Sequence, residues 1–371
     1  MRTLVIGGTG PTGPYVVEAL LARGHDVTIL HRGTHEPPGF PALEQIEHIH
    51  ADPHFREPLD AALAARTFDT VVAMYGRMAL NVEVCAGRCE RFISVGGNPA
   101  HRGHLDRRSA FPEGMKILAN ERDPIASGEV SARDRFAAKV VAAERAVMDA
   151  HAAGTFRATH FRYPIIYGRG AVLAFERWVV RRLLDGERRL ILPDGGLSIY
   201  THCADRNAAR FVASALDHPD AASGQIYQCA DEDQFSVVQW TQLIGDALGV
   251  EPEIVSVPLA LARPVWNLLP TGPLASPHSL VDITKARREL DYRDVVPARD
   301  ALRELVEHLT SDPRETESVN RDVAAEHAVI AAFDELDARL TDTLGWEPTE
   351  EPNPRWHTYD HPTEQTAKRP E

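Results

Sequence analysis

Three glycines near the start of the chain have the spacing of a phosphate cradle. Gly7, Gly10 and Gly13 lie in Thr3-Leu4-Val5-Ile6-Gly7-Gly8-Thr9-Gly10-Pro11-Thr12-Gly13, and an apolar-periodic segment, Tyr15 to Leu21, follows at once. The reading is strand, tight turn, helix. Glycine permits the turn and removes the side chain that would stand between backbone and ligand. Free N–H groups at the helix start, with the positive end of the helix dipole behind them, then face a pyrophosphate. A dinucleotide site is therefore expected on Gly7, Thr9, Gly10, Pro11, Thr12 and Gly13.

The choice of dinucleotide is made at the end of the next strand. Asp26 to Leu30 runs into His31-Arg32-Gly33. An acidic residue there would hold ribose hydroxyls, whereas an arginine can pair with a 2′-phosphate. Arg32 thus favours NADP(H), with NAD(H) possible; the alternative is a solvated loop arginine. Asp52 follows a third strand, Ile46 to His50, and can reach an adenine amino group or simply cap its loop. His48 and His50 share a strand face, with His54 just beyond. No second ligand group with metal spacing accompanies them, so no metal is expected.

The remaining elements must bring further side chains to the same crevice. Asp69 to Tyr75 is apolar, as a parallel strand covered on both faces should be, and ends in Tyr75-Gly76. Met78 to Ala86 reads as a helix and Arg91 to Val95 as a fifth strand ending in Gly96-Gly97. Ligands collect at the carboxyl ends of such strands, so Tyr75, Gly76 and Ser94 to Gly97 should line the crevice. Asn98 to Val130 is polar and rich in Pro, Gly and Arg, a long loop beside the site and a candidate lid. Asp134 to His151 is a helix with a stripe of Phe136, Val140, Ala143 and Val147. Arg135 and Lys139, four apart, lie on the neighbouring face. Phe156 to Tyr163 is a sixth strand, leading to Pro164-Ile165-Ile166-Tyr167-Gly168.

This order of motifs resembles the extended short-chain dehydrogenase/reductase superfamily, the branch of NAD-dependent epimerases and dehydratases. The matching pieces are the glycine turn, Asp52, Phe92-Ile93-Ser94, Lys139 and Arg162 to Gly168. Later ones are His202 to Asp205, Gly224 to Tyr227, and Asp282 to Ala286 before Arg288-Glu289-Leu290, so the resemblance covers residues 1 to 310. It implies an α/β fold: a Rossmann-type doubly wound parallel sheet over 1–168, with 201–231 returning to it, and a smaller substrate lobe over 169–310. It also implies Lys139 on the cofactor ribose, Pro164 beside the nicotinamide, and apolar helices able to form a homodimer.

The family's catalytic helix carries Tyr-x-x-x-Lys, whose tyrosine exchanges a proton with the substrate oxygen. Here the segment is Arg135-Phe136-Ala137-Ala138-Lys139. A guanidinium has no acceptor and does not deprotonate in proteins, so Arg135 cannot be the general acid-base. It can stabilise an oxyanion or bind a carboxylate. Lys139 is then either the proton-transfer group or the usual ribose ligand. The candidate catalytic set is Lys139, Arg135, Ser94 and Tyr167. Tyr75, His101 and Tyr163 are further polar groups near the crevice. Ser94-Val95-Gly96-Gly97 replaces the family's serine-rich stretch, which puts the substrate-polarising hydroxyl on a glycine.

Ala174 to Leu184, Asp205 to Leu216, Val237 to Leu248 and Ala298 to Leu309 read as later helices. Arg177, Arg181, Arg182, Arg188 and Arg189 can meet an anionic substrate or form a solvated face. Beyond them, 311–371 is an acidic extension with fifteen acids against six bases, so it holds most of the net charge of −14. Val329, Phe333, Leu336, Leu340 and Leu344 give it one helical stripe; Trp356 and Tyr359 suggest that its end lies along a surface. The negative charge excludes nucleic acid as the main partner. No apolar run reaches about 18 residues, so no membrane span is expected, and the first residues do not read as a signal peptide. Cys85, Cys89, Cys203 and Cys229 form no metal or disulfide pattern, the usage of a cytoplasmic protein. The expected function is NADP(H)-dependent hydride transfer on a small oxygenated substrate, as a reductase, epimerase or dehydratase with a non-standard proton donor. The alternative is a dinucleotide-binding sensor or interaction protein that has lost standard catalysis.

Overall fold

The computed structural model describes residues 1–34, 37, 39–172, 175–262, 278–320 and 322–345. Six strands come first: β1 (Arg2–Ile6), β2 (Asp26–His31), β3 (Glu47–His50), β4 (Phe68–Ala73), β5 (Cys89–Gly97) and β6 (Arg157–Tyr163). They are followed by β7 (Ile165–Tyr167), β8 (Arg189–Pro193), β9 (His202–Ala204), β10 (Gln225–Gln228) and β11 (Glu253–Val257). Seven of these form one sheet in the order β10-β6-β5-β4-β1-β2-β3, each neighbouring pair parallel. The strand order reverses between β1 and β4, so a crevice opens beyond their carboxyl ends.

Helices cover both faces, which is why the central strands are apolar throughout. On one face, α1 (Gly13–Leu21) brings Val16, Val17 and Leu20 against Val5 and Ile29. After the short α2 (Pro41–Glu44), α3 (Arg56–Leu63) and α4 (Met78–Cys85) bury Leu59, Leu63 and Val82 on the other face, with Leu4, Ile6 and Phe92. Each such side chain contributes about 1.5–3 kcal/mol by leaving water. α5 (Ala132–Ala152) joins that second face, packed on α4 and β6.

α5 packs one residue out of the expected register. Its buried residues are Asp134, Ala137, Val141, Glu144 and Val147, while Phe136 is 56% exposed. The reason is a charge. Glu144 accepts two hydrogen bonds from Arg162 on β6, from Nε and Nη2, each 2.7 Å, and both side chains are buried. Burial pushes the Glu144 carboxyl up, but Arg162 outweighs it and holds the group below the usual range. Two charge-assisted bonds of this geometry offset desolvation that neither residue could bear alone.

The second half of the chain builds a smaller layer and also returns to the sheet. α6 (Phe175–Leu184) packs on α9 (Val237–Leu248), and β7 pairs with β9, and β8 with β11. Trp240 of α9 is fully buried and donates from Nε1 to Glu176 at 2.9 Å. A capping box of Ser236 and Gln239 starts α9, and Gly249 with φ +66° ends it. Between them, α7 (Asp205–Asp217) packs on α1, the short α8 (Pro219–Ala222) follows, and β10 pairs with β6. α10 (Thr284–Glu289) and α11 (Ala298–Ser311) complete this part.

Residues Met1–Asp322 form one compact unit and Val323–Glu371 a second. The first unit therefore runs past residue 311, where the extension was expected to begin. Arg182 explains part of this: it is buried and donates from Nη1 to the Asn320 carbonyl at 2.6 Å. In the second unit, α12 (Ala324–Leu344) leaves Leu336, Leu340 and Leu344 exposed. Pro348 to Glu371, with Trp356 and Tyr359, lie outside the described residues, as does Ala174. No helix among the described residues is long and apolar enough to cross a membrane.

Two measurements probe this core. Glu144→Ala leaves a buried guanidinium uncompensated and is expected to lower stability by about 3–5 kcal/mol in denaturant unfolding. Burial also pushes the imidazoles of His101, His104, His160 and His202 from 6.5 down to about 4. Each therefore takes up a proton more readily in the unfolded chain. Thermal midpoints are expected to be insensitive to these groups above pH 6.5 and to fall steadily as pH drops from 6.5 towards 4.

Candidate active site

A cavity of about 640 Å³ opens at the carboxyl ends of the central strands. Gly7, Thr9, Gly10, Pro11 and Thr12 line one part and His31 to Thr34 another. Met74, Tyr75, Val95, Asn98, Pro99, His104 and Leu105 come from the strand exits beyond. Tyr163 to Ile166 and the more distant Val172, Tyr200, Thr201 and Ser279 complete the wall.

The glycine turn has the properties a dinucleotide needs. Gly7 sits at φ +93°, and a Cβ there would lie 2.4 Å from Tyr75 Cβ. At Gly13 a Cβ would lie 2.4 Å from the Gly8 carbonyl, so α1 rests directly on the turn. Gly10 differs: the nearest atom to a Cβ is the Gly7 carbonyl oxygen at 3.9 Å. At that residue bare backbone faces the cavity, at the N-terminus of α1. Gly7, Thr9, Gly10, Pro11 and Thr12 can hold a pyrophosphate, and Tyr163 to Ile166 border the opposite end of the crevice.

At the β2 end Arg32 is exposed and lines the cavity, its guanidinium 5.3 Å from the Tyr75 ring centroid. The loop that carries it is held by an imidazole chain. His48 Nε2 donates to the Leu43 carbonyl at 2.7 Å, so His48 Nδ1 accepts from His31 Nε2 at 3.0 Å. His31 Nδ1 then accepts from the Gly33 N–H at 3.2 Å. Ring nitrogens of His31, His48 and His50 lie within 4.8 Å of one another. A metal taking His31 Nε2 would remove the His31–His48 link and set a ring N–H against Gly33 N–H. Asp52 is not on the wall. Its Oδ1 accepts from His54 N at 3.0 Å and His54 Nδ1 at 2.9 Å, which caps the loop and holds the carboxyl below its usual range.

The expected catalytic set is not brought together. Arg135 and Lys139 are exposed and off the cavity wall. Each is two residues from buried Ala137, about 200° around the helix, so the register fixed by Glu144 turns both outwards. Ser94 is fully buried, with Oγ 2.7 Å from His160 Nδ1. Gly96 makes room for that same histidine, since a Cβ would lie 2.6 Å from His160 Nε2. Tyr167 is buried and donates to Asp231 Oδ2 at 2.8 Å. Gly76 turns at φ +95° against Pro53, away from the wall, and His101 is buried behind it. The arginines of α6 and β8 serve structure: Arg181 pairs with Asp185, Arg189 with Glu253, and Arg188 and Arg177 donate to carbonyls.

Other groups occupy the wall instead. Asn98, His104, Tyr200, Thr201 and Ser279 supply polar atoms to it, alongside those of His31, Arg32, Thr34, Tyr75 and Tyr163. The position of Asn98, directly after a strand end, was the one signal available from sequence for any of them. Among the described lining residues Arg32 is the only one with a formal charge, and no lysine or carboxylate is present. The Tyr163 hydroxyl donates to the Ala208 carbonyl at 2.8 Å. Tyr200 is buried, which raises its pKa, and its hydroxyl is bonded to Ser198.

The family model for NAD-dependent epimerases and dehydratases matches residues 3–98 and 109–230. The chain belongs to the NAD-dependent epimerase/dehydratase family. It is a hydride-transfer enzyme of the oxidoreductase, epimerase and dehydratase kind, with a nicotinamide dinucleotide as cofactor. It is 27% identical over 322 residues to a 3-diazoavenalumate denitrifying reductase from Streptomyces, covering 81% of this chain and 99% of that one. Solved structures share the fold. dTDP-glucose 4,6-dehydratase from Bacillus anthracis, in complex with NAD, aligns at TM-score 0.67 and 14% identity, over 86% of this chain and 100% of that one. UDP-glucose 4-epimerase from Thermus thermophilus, also with NAD, aligns at 0.64 and 19%, over 84% and 99%.

Gly10→Val is expected to abolish dinucleotide binding without unfolding the protein, because the new side chain enters the cavity. Lys139→Ala and Arg135→Ala are expected to leave binding unchanged. Calorimetric titration with NADPH and NADH checks all three, and a loss on Lys139→Ala would contradict the outward-facing register.

Proposed function

We propose that the enzyme is an NADP(H)-dependent reductase that acts on a small, planar, largely apolar electrophile bearing a diazonium group. The observation that carries this reading is the cavity wall, which has neither lysine nor carboxylate among its described residues and keeps the hydroxyls of Tyr163 and Tyr200 on protein partners. The curated relative in Streptomyces, by its name a reductase that denitrifies a diazo compound, supports it.

Gly7, Thr9, Gly10, Pro11 and Thr12 hold the pyrophosphate, and Gly13 seats α1 behind it. Arg32 pairs with the 2′-phosphate from the loop that the imidazole chain fixes, with Tyr75 beneath its guanidinium. Pro164, Ile165 and Ile166 border the nicotinamide end. When bound, the reduced nicotinamide supplies a hydride. Leu105, Val172 and Ile166 exclude water around the reacting group. Converting a diazonium group to C–H is a net gain of hydride and loss of N₂, so the protein need not donate a proton. Carbonyl reduction consumes one proton, which the Tyr-x-x-x-Lys pair supplies in the family. That pair has no counterpart on this wall, and the chemistry that needs no pair suits it better. A carbonyl or hydroxyl substrate, or a sensor that binds without turnover, are the competing readings.

Mixing the protein with NADPH or NADH and either benzenediazonium or benzaldehyde, while following nicotinamide oxidation and N₂ release, separates them. The expected result is NADPH oxidation with N₂ release from benzenediazonium alone. Oxidation with benzaldehyde only would return the enzyme to carbonyl chemistry, and NADPH binding without any turnover would favour the sensor. Arg32→Ala is expected to raise the KM for NADPH roughly ten- to hundredfold and to change that for NADH little.

A further inference from the structure

The cavity wall contains polar atoms with no partner in the protein. Asn98 is 1% exposed, yet both its Oδ1 and its Nδ2 lack a hydrogen-bond partner among the described residues. His104 Nδ1 is buried and equally without one. Both residues line the cavity that carries the glycine turn. The backbone links them by two successive turns: His101 N–H donates to the Asn98 carbonyl at 2.9 Å, and His104 N–H to the His101 carbonyl at 3.3 Å. A buried amide and a buried ring nitrogen left unpaired are costly and rare in folded proteins. A cavity wall that holds both is built to be completed by a ligand. The family match breaks off at residue 98 and resumes at 109, so His104 lies outside the stretches that the family model matches.

We infer that Asn98 and His104 form a polar subsite that grips a neutral donor-and-acceptor group on the substrate, such as a carboxamide or a phenol. Asn98 offers one donor and one acceptor side by side, and a neutral His104 ring adds a further hydrogen-bonding nitrogen. A group that only accepts, such as a carboxylate, would leave Asn98 Oδ1 unpaired, so the subsite selects against it. An apolar substituent would leave every atom unpaired. The inference rests on the reading that the dinucleotide occupies the same cavity, and it adds what the substrate must carry there.

Unreactive probes test the subsite apart from any turnover. Benzamide and toluene are titrated by calorimetry into the free protein and into the protein with saturating NADP⁺. NADP⁺ affinity is measured separately, so that failure of the dinucleotide reading is seen on its own. Wild type is expected to prefer benzamide to toluene. Asn98→Leu and His104→Phe are each expected to weaken benzamide roughly ten- to hundredfold, leaving toluene and NADP⁺ affinity unchanged. The Tm of Asn98→Leu is expected to hold or rise, because unpaired atoms are replaced by apolar ones. Four results would overturn the inference. They are no benzamide preference in wild type, a preference that survives both substitutions, a parallel loss of NADP⁺ affinity that assigns the pair to the nicotinamide, or a lower Tm for Asn98→Leu that makes Asn98 a loop anchor.

Discussion

The paired charges of Glu144 and Arg162 fix how the catalytic half of this enzyme is assembled. Neither charge tolerates burial without the other, and both bonds are made only when α5 sits at one rotation against β6. A turn of 100° in either direction would leave a guanidinium and a carboxylate buried apart. The pair therefore acts as a register pin, and every other α5 side chain follows from it. Ala137 and Val141 go in; Arg135 and Lys139 go out.

The same pin extends into the cavity wall. Arg162 Nη1 lies 3.5 Å from His101 Nε2, which also meets the Gln228 amide at 2.5 Å. His101 sits between Asn98 and His104 in the turns that follow β5. Buried charge, buried imidazole and buried amide thus form one connected structure. On the other side of Glu144, His160 lies 3.5 Å away and occupies the Ser94 hydroxyl. The serine and glycine of β5 are accounted for by this packing: one meets the histidine and the other makes space for it.

These arrangements change what the family fold can do here. With α5 turned outwards, the crevice keeps its glycine turn but has no ionisable proton donor from that helix. The charge that remains, Arg32, belongs to the β2 end, where a tautomer-locked chain through His31 and His48 holds its loop. Holding a dinucleotide and donating a proton are separate tasks, and this wall is equipped for the first. The proposed electrophile, which needs only hydride, suits such a wall.

The sequence by itself determined the parts that depend on local chemistry. The apolar strands, the spacing of Gly7, Gly10 and Gly13, the position of Arg32 at a strand end, and the helices of the second half follow from periodicity, turn geometry and neighbours a few residues away. Tertiary structure decided what local chemistry leaves degenerate. The stripes Phe136-Val140-Ala143-Val147 and Ala137-Val141-Glu144 fit a 3.6-residue period almost equally, and a partner 18 residues away on β6 chose between them. Hydropathy argues against burying Glu144, because it ranks residues singly and does not see Arg162. Asn98, His104, Tyr200 and Ser279 are far apart in the chain and meet only once the sheet, its exit turns and the second lobe are in place. A cavity wall is a property of that assembly, and no window of sequence contains it.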